Sequence, residues 1–187
     1  MKEFATLHPH FLHGADYNPD QWRSYPEVLN QDADMMQQAH CNCMSVGIFS
    51  WAVLEPEEGE YCFAYLDRTI EDLAAKGIKT ILATPSAARP RWMAEKYPEA
   101  RRVNINGVRE EYNSRHNHCY TSPIYREKTK AMDRLLALRY GSNPNVILWH
   151  ISNKNEECVN ESFSIEKSRH VYTEEYIELT KEYYLKM

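Results

Sequence analysis

The sequence predicts an α/β fold built on a parallel sheet, and three observations carry that prediction. Four short apolar runs occur, at residues 11–17, 44–49, 78–83 and 146–151. Amphipathic helical patterns separate them. The resulting order is strand, helix, strand, helix, strand, long excursion, helix, strand, which is the rhythm of consecutive βαβ units. At 187 residues the chain has the size of one domain and enough length to bury a core.

The first helix is expected from Val28, Met35, Met36 and Ala39, which share one helical face opposite acidic and amide residues. Leu66, Ile70, Leu73 and Ala74 define a second, closed by Lys76-Gly77, a basic residue and then a glycine past the end. Ala131, Met132, Leu135, Leu136 and Leu138 form a third stripe. Gly141-Ser142-Asn143-Pro144 stops that helix before the fourth strand.

Composition excludes several classes. A hydrophobic share of 43% with 26% charged residues is that of a globular protein, not a disordered one. The net charge of −5 disfavours nucleic acid or an anionic membrane surface as partner. No window is apolar for the ~20 residues a membrane span needs. The opening Met1-Lys2-Glu3-Phe4-Ala5 has no apolar run of signal-peptide length, so a cytoplasmic location is expected. Five cysteines, an odd number, read as reduced thiols and not as a disulfide framework.

Two segments interrupt the rhythm. Residues 51–65 follow the second strand and carry Glu55-Pro56-Glu57-Glu58-Gly59, part of an acidic run at 55–60 expected to be a solvated loop, with Glu55 able to shape a pocket. Residues 84–123 follow the third strand, are too long for a plain connection, and are rich in Arg, His, Trp, Tyr and Asn. In parallel sheets and barrels, loops after the C-terminal strand ends carry function. These two are therefore the expected functional surface.

Five motifs occur in order along the chain: His13-Gly14-Ala15-Asp16-Tyr17-Asn18-Pro19-Asp20-Gln21-Trp22; Phe49-Ser50-Trp51-Ala52-Val53-Leu54-Glu55-Pro56-Glu57-Glu58-Gly59; Thr84-Pro85-Ser86-Ala87-Ala88-Arg89-Pro90-Arg91-Trp92; Ser114-Arg115-His116-Asn117-His118-Cys119-Tyr120-Thr121-Ser122-Pro123; and Leu148-Trp149-His150-Ile151-Ser152-Asn153. Together they resemble the N-terminal part of family forty-two glycoside hydrolases, the β-galactosidases, over roughly residues 11–153. The resemblance implies a partial TIM (β/α)8 barrel, roughly the first four βα units. It also implies retaining hydrolysis of terminal β-D-galactosides, with β-galactoside sugars as ligands and a place in carbohydrate metabolism. That chemistry needs two carboxylates about 5 Å apart, one a proton donor and one a nucleophile.

By the same resemblance the donor is a Glu directly after the Asn that ends the fourth strand, and the nucleophile is a Glu near the end of the seventh. Here Lys154 follows Asn153. An ammonium with an ordinary pKa of about 10.4 is a poor general acid near neutral pH. No catalytic residue is thus intact, and the chain is expected to be inactive. The alternatives are a truncated, non-enzymatic remnant with weak sugar binding, or a half-barrel that needs a separate C-terminal half. Open barrel edges would invite self-association.

The resemblance further implies substrate contacts for Arg115 and Asn153. Among Trp22, Trp51, Trp92 and Trp149, it is Trp51, in a loop after a strand, that is the expected sugar-stacking residue. Cys119 occupies a position where metal-binding family members hold zinc. Only Cys158 follows the fourth strand, and on an extended segment His116 and His118 would face away from Cys119, so the site is incomplete and no cofactor is expected. Residues 154–187 are read as a divergent tail, replaced by a frameshift or truncation, behind a barrel half at residues 1–153.

Overall fold

The computed structural model describes residues 10–104, 106–111 and 118–151. Four strands, β1 (Asp16–Tyr17), β2 (Cys43–Val46), β3 (Lys79–Ala83) and β4 (Val146–His150), form one parallel sheet in the order β1-β2-β3-β4. The long connections are helical: α1 (Pro26–Gln38), then α2 (Trp51–Leu54) and α3 (Ala64–Ala75), then α4 (Arg91–Lys96) and α5 (Pro123–Tyr140). Each of the four expected strand runs overlaps one of these strands, and each of the three expected helices is present.

The first run is longer than the strand it yields. Residues 11–13 spend their hydrogen bonds on Asn42: its Nδ2 donates to Phe11 O at 2.7 Å, and its Oδ1 accepts from His13 N at 2.7 Å. His13 O accepts from Asn42 N and Cys43 N, so the ladder itself begins only at Asp16. Between these points the two segments touch at Gly14. A Cβ added there would lie 1.5 Å from Cys43 O, so only glycine fits.

Alternation along the strands separates two faces. Met44 and Val46 of β2 and Leu82 of β3 turn to the helices and join Leu66, Ile70 and Leu73 of α3 and Met132, Leu136 and Tyr140 of α5 in one core. Trp149 of β4 packs against that core, in register with Leu82. The opposite face carries Ser45, Ile81, Ala83, Leu148 and His150. Helices on one face and a second face aligned on the inside match the wall of a β/α barrel. The register shifts between Thr80 and Ile81, where β4 advances from Val146 to Leu148 and leaves Ile147 as the extra residue of a bulge.

Helix ends follow local chemistry. Gly77, just past α3, adopts φ 73°, the left-handed conformation that terminates helices. Ser122 caps α5 by accepting from Tyr125 N, and Pro123 takes the first position, where its missing N–H costs nothing. By contrast α1 buries no residue fully, and Met35 is 60% exposed although its spacing placed it on the inner face; Met36 and not Met35 packs on the core. The two-residue β1 gives α1 little sheet to cover.

Candidate functional site

The C-terminal strand ends open onto three loops. After β1, Pro19–Trp22 forms a 3-10 turn. After β2, the chain turns at Gly47 (φ 89°) and enters α2. After β3, Pro85–Ala87 makes another 3-10 turn inside a run from Ala83 to Pro90 that is buried except at Ala88. A polar cluster links the first two loops: Tyr65 Oη and Ser50 Oγ are 3.1 Å apart. Burial pushes the Asp20 carboxyl up, against the lowering influence of Arg23 and a hydrogen bond with Ser50. Burial likewise raises the Tyr65 phenol.

The expectation that Trp51 stacks on sugar is corrected. Its ring is 0% exposed and lies among the core side chains, tilted against Tyr125 with centroids 6.3 Å apart. Four α2 residues that the sequence reading left in a loop form a helical turn, and this turn swings the indole inward. The tryptophan that does reach the surface is Trp22, 46% exposed and edge-on to Tyr25.

The acidic run is a solvated loop only in part: Glu57 and Glu60 are exposed, whereas Glu55 and Glu58 are held by neighbouring side chains. Glu55 is 1% exposed, accepting from Trp51 Nε1 at 2.8 Å and from Gly59 N at 2.9 Å, while its backbone oxygen accepts from Trp92 Nε1 at 2.9 Å. Glu58 accepts from Tyr97 Oη at 2.7 Å and from Lys96 Nζ at 3.2 Å, and Lys128 Nζ lies 2.8 Å away. The Lys128 and Tyr97 hydrogen bonds hold its carboxyl down at about 2. Two carboxylates of the loop after β2 therefore bind it to α2, α4 and α5.

The long excursion contains a small hairpin. Val103 bridges Arg109, and Arg101 bridges His118, both antiparallel. Asn104 Oδ1 accepts from Asn106 N and Val108 N, and Gly107 takes φ 76° at the tip. His118 is 1% exposed and stacks on Tyr125 with centroids 4.2 Å apart. Cys119 N donates to Ala100 O at 2.8 Å. Arg115, His116, Asn153, Lys154 and Cys158 lie outside the described residues, as do residues 152–187 altogether. Their flanks do not: the hairpin and His118 bracket the segment carrying Arg115, and His150 with Ile151 precedes Asn153.

Cys119 Sγ sits 3.2 Å from Thr121 Oγ1. Among the described residues, no group of three His, Cys, Asp or Glu side chains is placed to hold a metal ion. No described residue joins Cys119 in a zinc site, and no chemistry is assigned to a metal here. No helix among the described residues is long and apolar enough to cross a membrane.

One polar pair on the inner sheet face was missed by sequence reasoning. Ser45 Oγ and His150 Nδ1 are 2.8 Å apart, spanning from β2 to β4. The available signal was a serine and a histidine inside otherwise apolar strand runs.

Comparisons with known proteins agree with this arrangement. The family model for glycoside hydrolase family forty-two, described as beta-galactosidase, matches residues 16–183. That span takes in most of the residues the sequence reading set apart as a tail. A β-galactosidase of Alicyclobacillus acidocaldarius is 54% identical over 162 residues, which are 84% of this chain and 24% of that protein. One from Clostridium perfringens is 57% identical over 145 residues, 78% of this chain and 21% of that protein. Among solved structures, the cold-adapted β-galactosidase of Rahnella sp. R3 superposes with a TM-score of 0.74 at 56% identity, over 76% of this chain and 21% of that one. The chain thus spans about a fifth to a quarter of the length of the relatives it matches.

Proposed function

Because the chain belongs to the family forty-two glycoside hydrolases, we propose that it supplies the first four βα units of a β-galactosidase barrel, one that hydrolyses terminal β-D-galactosides with retention. The observation that carries this reading is the match of sequence and topology together: a family match along most of the chain, on four parallel strands in chain order. In this reading Arg115 and Asn153 contact the sugar, with a planar guanidinium suited to several hydroxyl or carboxylate partners at once. The protein acts in the cytoplasm on sugars, without nucleic acid or membrane partners.

We further infer that this chain alone does not turn over substrate. Lys154 stands directly after Asn153, where the family places its acid/base Glu. Loss of a general acid costs about 10²- to 10⁴-fold in rate.

The test is hydrolysis of a chromogenic β-galactoside by the purified chain and by Lys154→Glu, each alone and with a separately produced C-terminal portion of a relative. Activity only for Lys154→Glu with the added portion supports both parts of the reading. Clear turnover by the unmodified chain overturns the inactivity claim. No turnover under any condition, with the two portions shown to associate, overturns the barrel-supplying role.

A further inference from the structure

Ser45 and His150 stand 105 residues apart in sequence, yet their Oγ and Nδ1 atoms meet at 2.8 Å. They sit on β2 and β4, with β3 between them. Ser45 pairs in register with Ile81, and His150 with Ala83. Ala83 is 2% exposed, and a methyl group at this position leaves room for a bond to pass over the intervening strand. In a closed barrel, side chains from alternate strands share one interior layer, usually filled by branched apolar residues. A polar pair in such a layer needs its hydrogen bond to offset desolvation, and in return fixes one ring orientation where an apolar pair would leave packing alone to decide.

The end of β4 is held from three sides. Ser45 holds the His150 ring on the inner face, Thr84 N donates to His150 O at 3.0 Å along the sheet, and Trp149 packs into the helical core on the outer face. The bulge at Ile147 lies just upstream, so the strand reaches this point with its ladder already displaced by one residue. A clamp downstream of the bulge then decides which residues continue along the inner face.

We propose that Ser45 is a positioning residue that, by holding the His150 ring across β3, locks the C-terminal end of β4 onto the sheet and so sets the sugar-binding geometry at the mouth of the barrel. The last clause rests on the functional reading above; the clamp itself does not. Neither residue contacts sugar in this proposal.

The experiment uses the full chain labelled with 15N, comparing wild type, Ser45→Ala and Ser45→Thr. Three readouts are followed: the His150 ring 15N signals, hydrogen exchange of the Thr84 amide, and the Kd for D-galactose. Ser45→Ala is expected to shift the Nδ1 signal, speed Thr84 exchange about tenfold and weaken D-galactose about tenfold, the scale of one lost hydrogen bond. Ser45→Thr, which restores a hydroxyl, should recover all three. Thr84 exchange and D-galactose affinity both within about twofold of wild type in Ser45→Ala would overturn the proposal. If the wild-type chain takes up no D-galactose, the functional reading fails, and Thr84 exchange with rescue by Ser45→Thr alone decides the clamp. Should Ser45→Ala not fold, His150→Leu and His150→Asn replace it, the asparagine keeping a polar group near the place of Nδ1 and being expected to retain slow Thr84 exchange; equal exchange in both overturns the clamp.

Discussion

Lys128 Nζ lies 2.8 Å from Glu58 Oε1, which ties α5 to the loop after β2 across a separation of 70 positions in sequence. Tyr97 and Lys96 reach the same carboxylate from the far end of α4. One acidic side chain thus gathers two helices around a loop that opens at the C-terminal face of the sheet.

That gathering is pH-dependent. The Glu58 carboxyl is held at about 2, below its ordinary 4.5, first by Lys128 and then by Tyr97. A depressed carboxyl contributes stability that is complete above about pH 4.5 and is lost as pH falls towards 2. Glu58→Gln should flatten this part of the stability–pH curve and cost roughly 1 kcal/mol or less at pH 7, because the group is partly solvated. Thermal melts between pH 7 and pH 2.5 check it; identical acid slopes for both proteins would contradict it.

Glu55 makes a sharper prediction. Its buried carboxylate serves two donors, Trp51 Nε1 and Gly59 N. Glu55→Ala strands both and should cost about 2–4 kcal/mol in urea unfolding. Glu55→Gln keeps one acceptor and should cost less than half as much.

Trp51 and Trp22 should respond oppositely. Trp51→Phe removes a buried indole N–H and part of a fully enclosed ring, with an expected loss of about 2–3 kcal/mol. Trp22→Phe, on a ring 46% exposed, should stay within about 0.5 kcal/mol. Iodide quenching of single-tryptophan variants gives an independent check, since Trp22 emission should be quenched and Trp51 emission should not.

Thiol reactivity should rank by exposure. In a Cys158→Ser background, Cys62 is exposed and should react first with a chromogenic disulfide at pH 8. Cys43 is buried, and burial followed by the neighbouring Cys41 pushes its thiol up. It should react only at the rate of local opening.

The sheet and its helices were legible because each rests on local periodicity. The Leu66, Ile70, Leu73 stripe became the buried face of α3, and the fourth apolar run became β4. What was illegible depends on partners distant in sequence. Trp51 is enclosed because Tyr125 of α5 arrives beside it, and the Glu55 segment is held in because Trp92 of α4 donates to the Glu55 backbone oxygen. A loop rich in Glu reads as solvated when each charge is considered alone. The Ser45–His150 bond was equally hidden, since it needs the register of three strands.

The order β1-β2-β3-β4 also has a kinetic side. Each new strand joins the one synthesised just before it, so the sheet can grow in one direction as the chain leaves the ribosome, without waiting for an earlier edge to reopen. The connection from β3 to β4 is close to twice as long as the next longest, because it houses the hairpin and α4. Doubling a loop adds only about 0.6 kcal/mol of closure entropy. Vectorial assembly therefore tolerates the excursion, and the last of the four described strands to join is the one whose end the Ser45–His150 bond then pins.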